Sequence, residues 1–86
     1  MQNYYEHIHE LKTWPMYFRL VETGVKLFDL RKDDRPYTTG DLLLLREYDP
    51  DEETYSGCII LAVVTCVVRG EWLAPGYVAL GIRVLR

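Results

Sequence analysis

Long hydrophobic runs, paired cysteines and low-complexity stretches are what this 86-residue sequence lacks. The longest apolar run, Cys58 to Val68, is too short to cross a bilayer, which takes about 20 residues as a helix. The amino terminus, M-Q-N-Y-Y-E-H, has no basic stretch leading into an apolar one, so no secretory leader is expected. These absences predict a soluble, cytoplasmic protein with no membrane partner. Cysteine is nearly absent too: Cys58 and Cys66 lie in one apolar run, C-I-I-L-A-V-V-T-C. As a strand, that run separates them by about 26 Å, whereas a disulfide needs Cα atoms about 4.4–6.8 Å apart. Two buried or half-buried thiols in a reducing compartment are the expectation. No C-x-x-C spacing occurs, and neither do a Ser-His-Asp order, a phosphate-binding glycine loop or a dinucleotide fingerprint. No metal and no cofactor are expected.

What is present is a chain the length of one domain, residues 1–86, of which 49% is hydrophobic. A chain this short buries only about two-thirds of its unfolded surface, so any site is expected to be shallow and built from few side chains. The net charge is −3, but its distribution is uneven. Glu47, Asp49, Asp51, Glu52 and Glu53 fall in one short stretch. With those set aside, ten Lys and Arg face eight Asp and Glu. That falls short of the footprint of a non-specific nucleic-acid binder, and leaves room for contact with a few phosphates.

Breakers and periodicity divide the chain. His7–Lys12 reads as a first strand. Pro15 suits a first helical turn with Thr13 or Trp14 near the cap, and Gly24 suits a stop. The helix between them has two to three turns. Met16 and Leu20 share one face, with Tyr17 and Val21 beside them, and Arg19, Glu22 and Thr23 face water. Further strands are predicted over Val25–Arg31, Asp41–Tyr48, Cys58–Arg69 and Tyr77–Leu85. Gly81 in the last marks a bulge. The order is β-α-β-β-β-β. Apolar strands in so short a chain predict a sheet curled into a small barrel, with the helix plugging one end.

The polar segment after the helix, G-V-K-L-F-D-L-R, stands out. Lys26 is a compact cation with three donors, and Arg31 is a planar fork suited to phosphate or carboxylate. Asp29 can accept from a base or sugar, or orient the cations. Lys26 and Asp29 are three apart, so in a regular strand they point to opposite faces. Their convergence needs a chain still turning out of the helix at Lys26, so regular strand geometry is expected only after it.

The stretch H-E-L-K-T-W-P-M-Y-F-R-L-V-E-T-G-V-K-L-F-D-L-R resembles the opening of ASCH-like domains of the PUA superfamily. Their signature, G-x-K-x-x-E-x-R after a short helix, reads here as Gly24, Lys26, Asp29 and Arg31. The later R-P-Y-T-T-G-D-L-L-L-L-R-E-Y-D and closing P-G-Y-V-A-L-G-I resemble a compact bacterial and phage branch of that group. The likeness runs from His7 to Val84. It implies an α+β, mostly β fold: a PUA-like barrel or pseudobarrel of about five strands, with one short helix after the first strand. It also implies a cleft lined by the motif, and RNA or a nucleotide-like molecule as partner. Some bacterial members resemble amidohydrolases of acetylated cytidine that use a Lys, a Glu and a Thr three residues after the Lys. Asp29 occupies that Thr position here, and it also replaces the usual motif Glu.

Other candidates border the same region. Lys12 ends the first strand and Trp14 opens the helix, where it can stack a base or simply pack against Pro15. Arg35 and Tyr37 lie in the loop after the motif. Trp72 and Tyr77 flank G-E-W-L-A-P-G and can stack on a ligand or cap the barrel. Arg46 and Arg69 end strands and can meet phosphate or pair with the acidic hairpin. His7 and His9 share a strand face, but no further metal ligand has suitable spacing, so solvated or hydrogen-bonded histidines are expected. Three readings of function follow. One is a binding domain for RNA or a nucleotide-like ligand, using Lys12, Trp14, Gly24, Lys26, Asp29, Arg31, Arg35, Trp72 and Tyr77. Another is a small hydrolase with Lys26 as base or nucleophile and Asp29 as acid–base partner, a reading the missing Thr weakens. The third is a regulatory domain that binds a protein through the acidic hairpin.

Overall fold

The computed structural model describes residues 7–86. The elements are β1 (Ile8–Thr13), α1 (Pro15–Glu22), β2 (Phe28–Lys32), β3 (Leu42–Asp49), β4 (Thr54–Val68) and β5 (Tyr77–Val84). The five strands form one sheet in the order β1-β3-β4-β5-β2, curled into a half-barrel. β1 runs parallel to β3, and every other pair is antiparallel. A parallel neighbour cannot be reached by a tight turn. The chain therefore leaves β1 through α1, lays down β2 at the far edge, and returns to place β3 beside β1.

The inner face follows from strand alternation. His9, Leu11 and Thr13 of β1, Leu43 and Leu45 of β3, Ile60, Ala62 and Val64 of β4, and Val78, Leu80 and Ile82 of β5 are buried. α1 adds Phe18 and Val21. This corrects the expected helix face: Met16 is 62% exposed and Leu20 only half-buried. Phe18 and Val21 sit three apart and reach the core together. Tyr17 and Leu20, also three apart, turn toward the side of the barrel.

Two bulges curl the sheet. Between β3 and β4 the register shifts between Arg46 and Tyr48, opposite Ser56–Cys58, where Gly57 takes a φ of 95°. Between β4 and β5 it shifts between Val64 and Cys66, leaving Thr65 as the extra residue opposite Gly81. Gly81 thus marks the bulge from the facing strand. A Cβ there would stand 2.7 Å from both Cys66 Sγ and Thr65 Oγ1. A bulge bends a strand and resets its alternation. After Thr65 it is Val67 that packs against the core, and Cys66 is turned outward. Both cysteines are free and exposed, not buried as expected; Cys58 lies in the arm of β4 beyond the core. That strand begins at Thr54, earlier than expected, because the pairs Tyr48–Tyr55 and Asp49–Thr54 extend the ladder to the acidic turn. No helix among the described residues is long and apolar enough to cross a membrane.

Candidate ligand-binding cleft

A half-barrel of this strand order leaves β1 and β2 as edges facing each other across an open seam. Side chains span it. Arg31, inward on β2, donates from Nη2 to Thr13 Oγ1 of β1 at 3.1 Å. Its Nε donates to Asp29 Oδ2 at 2.5 Å. On the other side of that carboxylate, Lys26 Nζ donates to Oδ1 at 3.3 Å and to the Phe28 carbonyl at 2.8 Å. Asp29 is buried, at 4% exposure, with one cation on each oxygen.

Local geometry explains the convergence. Gly24, at φ 78°, ends α1, and its N–H donates to the Val21 carbonyl. Val25 and Lys26 N–H then both donate to the Leu20 carbonyl, so the chain folds back under the helix end. β2 begins only at Phe28. Lys26 is therefore free of strand alternation and meets Asp29 from the same side, as the spacing required.

Above this cluster lies a cleft of about 640 Å³, within the range of small-ligand sites. Trp14, Tyr17 and Phe28 are its aromatic walls, Leu20, Val25 and Leu30 its aliphatic ones, and Lys12, Thr13, Lys26, Asp29 and Arg31 its polar floor and rim. Trp14 is 53% exposed, so it does not serve as a buried partner of Pro15. Its ring lies 6.3 Å from that of Tyr17. Lys26 Nζ lies 5.0 Å from the Phe28 ring centroid and 5.8 Å from that of Tyr17. One N–H of Lys26 and the second terminal nitrogen of Arg31 have no side-chain or backbone partner among the described residues.

The other sequence candidates separate. Gly24 shapes the backbone and does not line the cleft. Arg35 and Tyr77 line a neighbouring groove, and Trp72, 93% exposed, lines neither. Tyr17, Leu20, Val25, Phe28 and Leu30 were not singled out from the sequence. Their signal was the i,i+3 pair on α1 and the residues alternating with Asp29 and Arg31 on β2.

Several charged groups outside the cleft pair within the fold. His9 Nε2 and Asp41 Oδ2 are 2.8 Å apart and buried, His7 Nδ1 lies 3.5 Å from Oδ1, and the Thr38 N–H donates to Oδ2 at 3.0 Å. His9 is thus hydrogen-bonded and His7 stands within ion-pair distance of the same carboxylate; no group of three or more metal-ligating side chains occurs among the described residues. Tyr37 packs its ring 4.7 Å from His9, and burial pushes its phenol above the ordinary tyrosine range. Arg46 pairs with Glu10 and stacks on Tyr55, and Arg69 pairs with Asp33, so neither meets the acidic hairpin. The Arg69 guanidinium, through its hydrogen bond, holds the Asp33 carboxyl below the usual carboxylate range.

Comparison with known proteins adds the following. A family described as a domain of unknown function, DUF3850, matches residues 8–82. An uncharacterised 12.9 kDa protein in the GpA 3′ region of Escherichia phage P2 is 39% identical over 67 residues, 77% of this chain and 60% of that protein. The chain thus spans about 60% of the length of that relative. The chain belongs to the DUF3850 family.

Proposed function

We propose that the chain is a small binding domain of ASCH-like type that takes RNA or a nucleotide-like ligand in the cleft beside α1. The observation carrying this reading is the union of three aromatic walls with a preorganised cation pair. Trp14, Tyr17 and Phe28 suit the faces of a base. Arg31 and Lys26 retain donors for a phosphate or a base carbonyl, and the Asp29 carboxylate holds both in place. The resemblance to the G-x-K-x-x-E-x-R signature supports the same site.

Binding is favoured over hydrolysis by the state of Asp29. It stands where the amidohydrolase-like members have Thr, and each of its oxygens is already engaged by a cation. A carboxylate so held positions its neighbours and is poorly placed to move a proton to substrate.

Trp14 supplies the readout. In a Trp72→Phe background it is the sole tryptophan, and a base stacked on it quenches its fluorescence. Nucleosides, modified nucleosides and short RNAs are titrated against this background. Lys26→Ala is expected to weaken binding about ten-fold or more, the loss of one charge-assisted contact. Arg31→Ala also removes the bond across the seam, so Arg31→Lys is the second variant: it keeps the charge and loses the fork. Wild-type protein that binds none of the panel, or Lys26→Ala that binds as well as wild type, rejects the reading. Turnover of acetylated nucleosides or RNA, abolished by Lys26→Ala, would instead establish the hydrolase.

A further inference from the structure

The seam continues past the cleft. On the far side of Arg31 lies a second depression of about 680 Å³, which shares Lys12, Leu30 and Arg31 with the cleft. Its character differs. Five cations line it, Lys12, Arg31, Lys32, Arg35 and Arg46, against two carboxylates, Glu10 and Asp34. In a chain of net charge −3, this is a local reversal of sign. Two tyrosines, Tyr55 and Tyr77, stand partly exposed among the cations.

Internal pairing does not account for all of this charge. Arg46 is paired with Glu10, Arg31 with Asp29, and Lys12 lies over the Tyr48 ring at 4.4 Å. The side chains of Lys32 and Arg35 are exposed and make no hydrogen bond or ion pair with any described residue. The groove therefore carries cations left over for an external anion.

We infer that this groove is a backbone track for a single-stranded nucleic acid whose neighbouring base occupies the cleft. The inference rests on the proposed function and decides between its two ligands in favour of a phosphodiester chain several nucleotides long, with a stated path for its backbone. A base can enter an aromatic-walled cleft only once it has left its stack, so the strand is unpaired there. Its backbone then leaves past Lys12 and Arg31, the residues common to both depressions. Beyond them Lys32 and Arg35 meet phosphates, and Tyr77 offers a ring face to a following base, while Arg46 already stacks on Tyr55. Cations interleaved with aromatic rings along a groove are the chemistry of single-strand binding. Each phosphate neutralised adds about 0.7 to the slope of log affinity against log salt.

The test compares nucleoside monophosphates with single-stranded hexanucleotides of RNA and DNA and with a short duplex, followed by Trp14 fluorescence from about 50 to 200 mM salt. The hexanucleotide is expected to bind on the order of ten-fold tighter than the monophosphate, with a steeper salt slope. Lys32→Glu should leave the monophosphate titration unchanged. Lys32→Glu/Arg35→Glu should remove the hexanucleotide's advantage and lower its slope by about 1.4. Both residues are exposed, so melting temperatures should confirm intact folds. RNA preferred over DNA, or equal binding of both, supports the inference. It is overturned if the hexanucleotide binds no tighter than the monophosphate, if the double variant keeps the advantage, or if duplex binds as well as single strand. The first of these leaves the proposed function standing. A protein that binds neither monophosphate nor hexanucleotide removes both.

Discussion

Asp29 and Asp41 are both buried, at 4% and 3% exposure, and each holds two basic side chains. Around Asp41 a buried imidazole and a backbone N–H share one oxygen, and Tyr37 seals the other side of His9. The cluster joins β1 to the turn before β3. Around Asp29 the partners are longer side chains, Lys and Arg, which are mostly buried and stay partly exposed along the seam. The same buried carboxylate thus completes a closed network in one place and holds donors toward a cleft in the other. The difference lies in the number of donors each base brings. An imidazole has at most two N–H donors, whereas Lys and Arg bring three and five. Surplus donors beside an apolar cleft make the Asp29 cluster the functional candidate.

Removing the two carboxylates separately tests that contrast. Asp29→Ala leaves two cations in a partly dry seam and should cost about 3 kcal/mol of stability, together with loss of ligand binding. Urea unfolding and the Trp14 titration measure the two effects. Equal stability in wild type and variant would mean that the cluster does not hold the seam. Asp41→Ala should cost less, about 2 kcal/mol, because hydrogen bonds to a buried oxygen are lost and no Lys or Arg is left without its carboxylate. Its ligand titration should match wild type within error. A weakened titration would break the division between a structural and a functional carboxylate.

The smallest effect concerns pH at the closed cluster. The raised folded-state pKa of Tyr37 means that the neutral phenol is favoured by the fold. Its contribution is fully present below the unfolded tyrosine value of about 10 and is lost as pH rises through the folded value. Unfolding midpoints measured between about pH 8 and pH 11 should therefore fall less steeply for Tyr37→Phe than for wild type. Parallel pH profiles would show that burial does not govern this phenol.

Much of this was legible in the chain itself. Pro15 and Gly24 bracket the helix because each needs a particular backbone geometry, and alternation identified Val78, Leu80 and Ile82 as one face. The clash between three-residue spacing and strand alternation also required a turn at Lys26. The helix face was less legible: Met16 and Phe18 are similarly apolar, and only the position of α1 over the barrel selects Phe18. The pairings of Arg46 and Arg69 were hidden as well, since Glu10 and Asp33 each lie 36 residues away.

The sequence by itself determined where elements start and stop and which residues share a strand face, because these depend on φ restrictions and a two-residue repeat within one segment. Only the tertiary structure decided that Thr13 would meet Arg31, that a bulge at Thr65 would turn Cys66 outward, and that Lys12 and Lys32 would border one groove. Those outcomes follow from the strand order β1-β3-β4-β5-β2, which brings the first two strands of the chain to opposite edges and then curls the edges together. Closure of a sheet is a property of all its strands at once, so no single segment encodes the seam where Lys26, Asp29 and Arg31 converge.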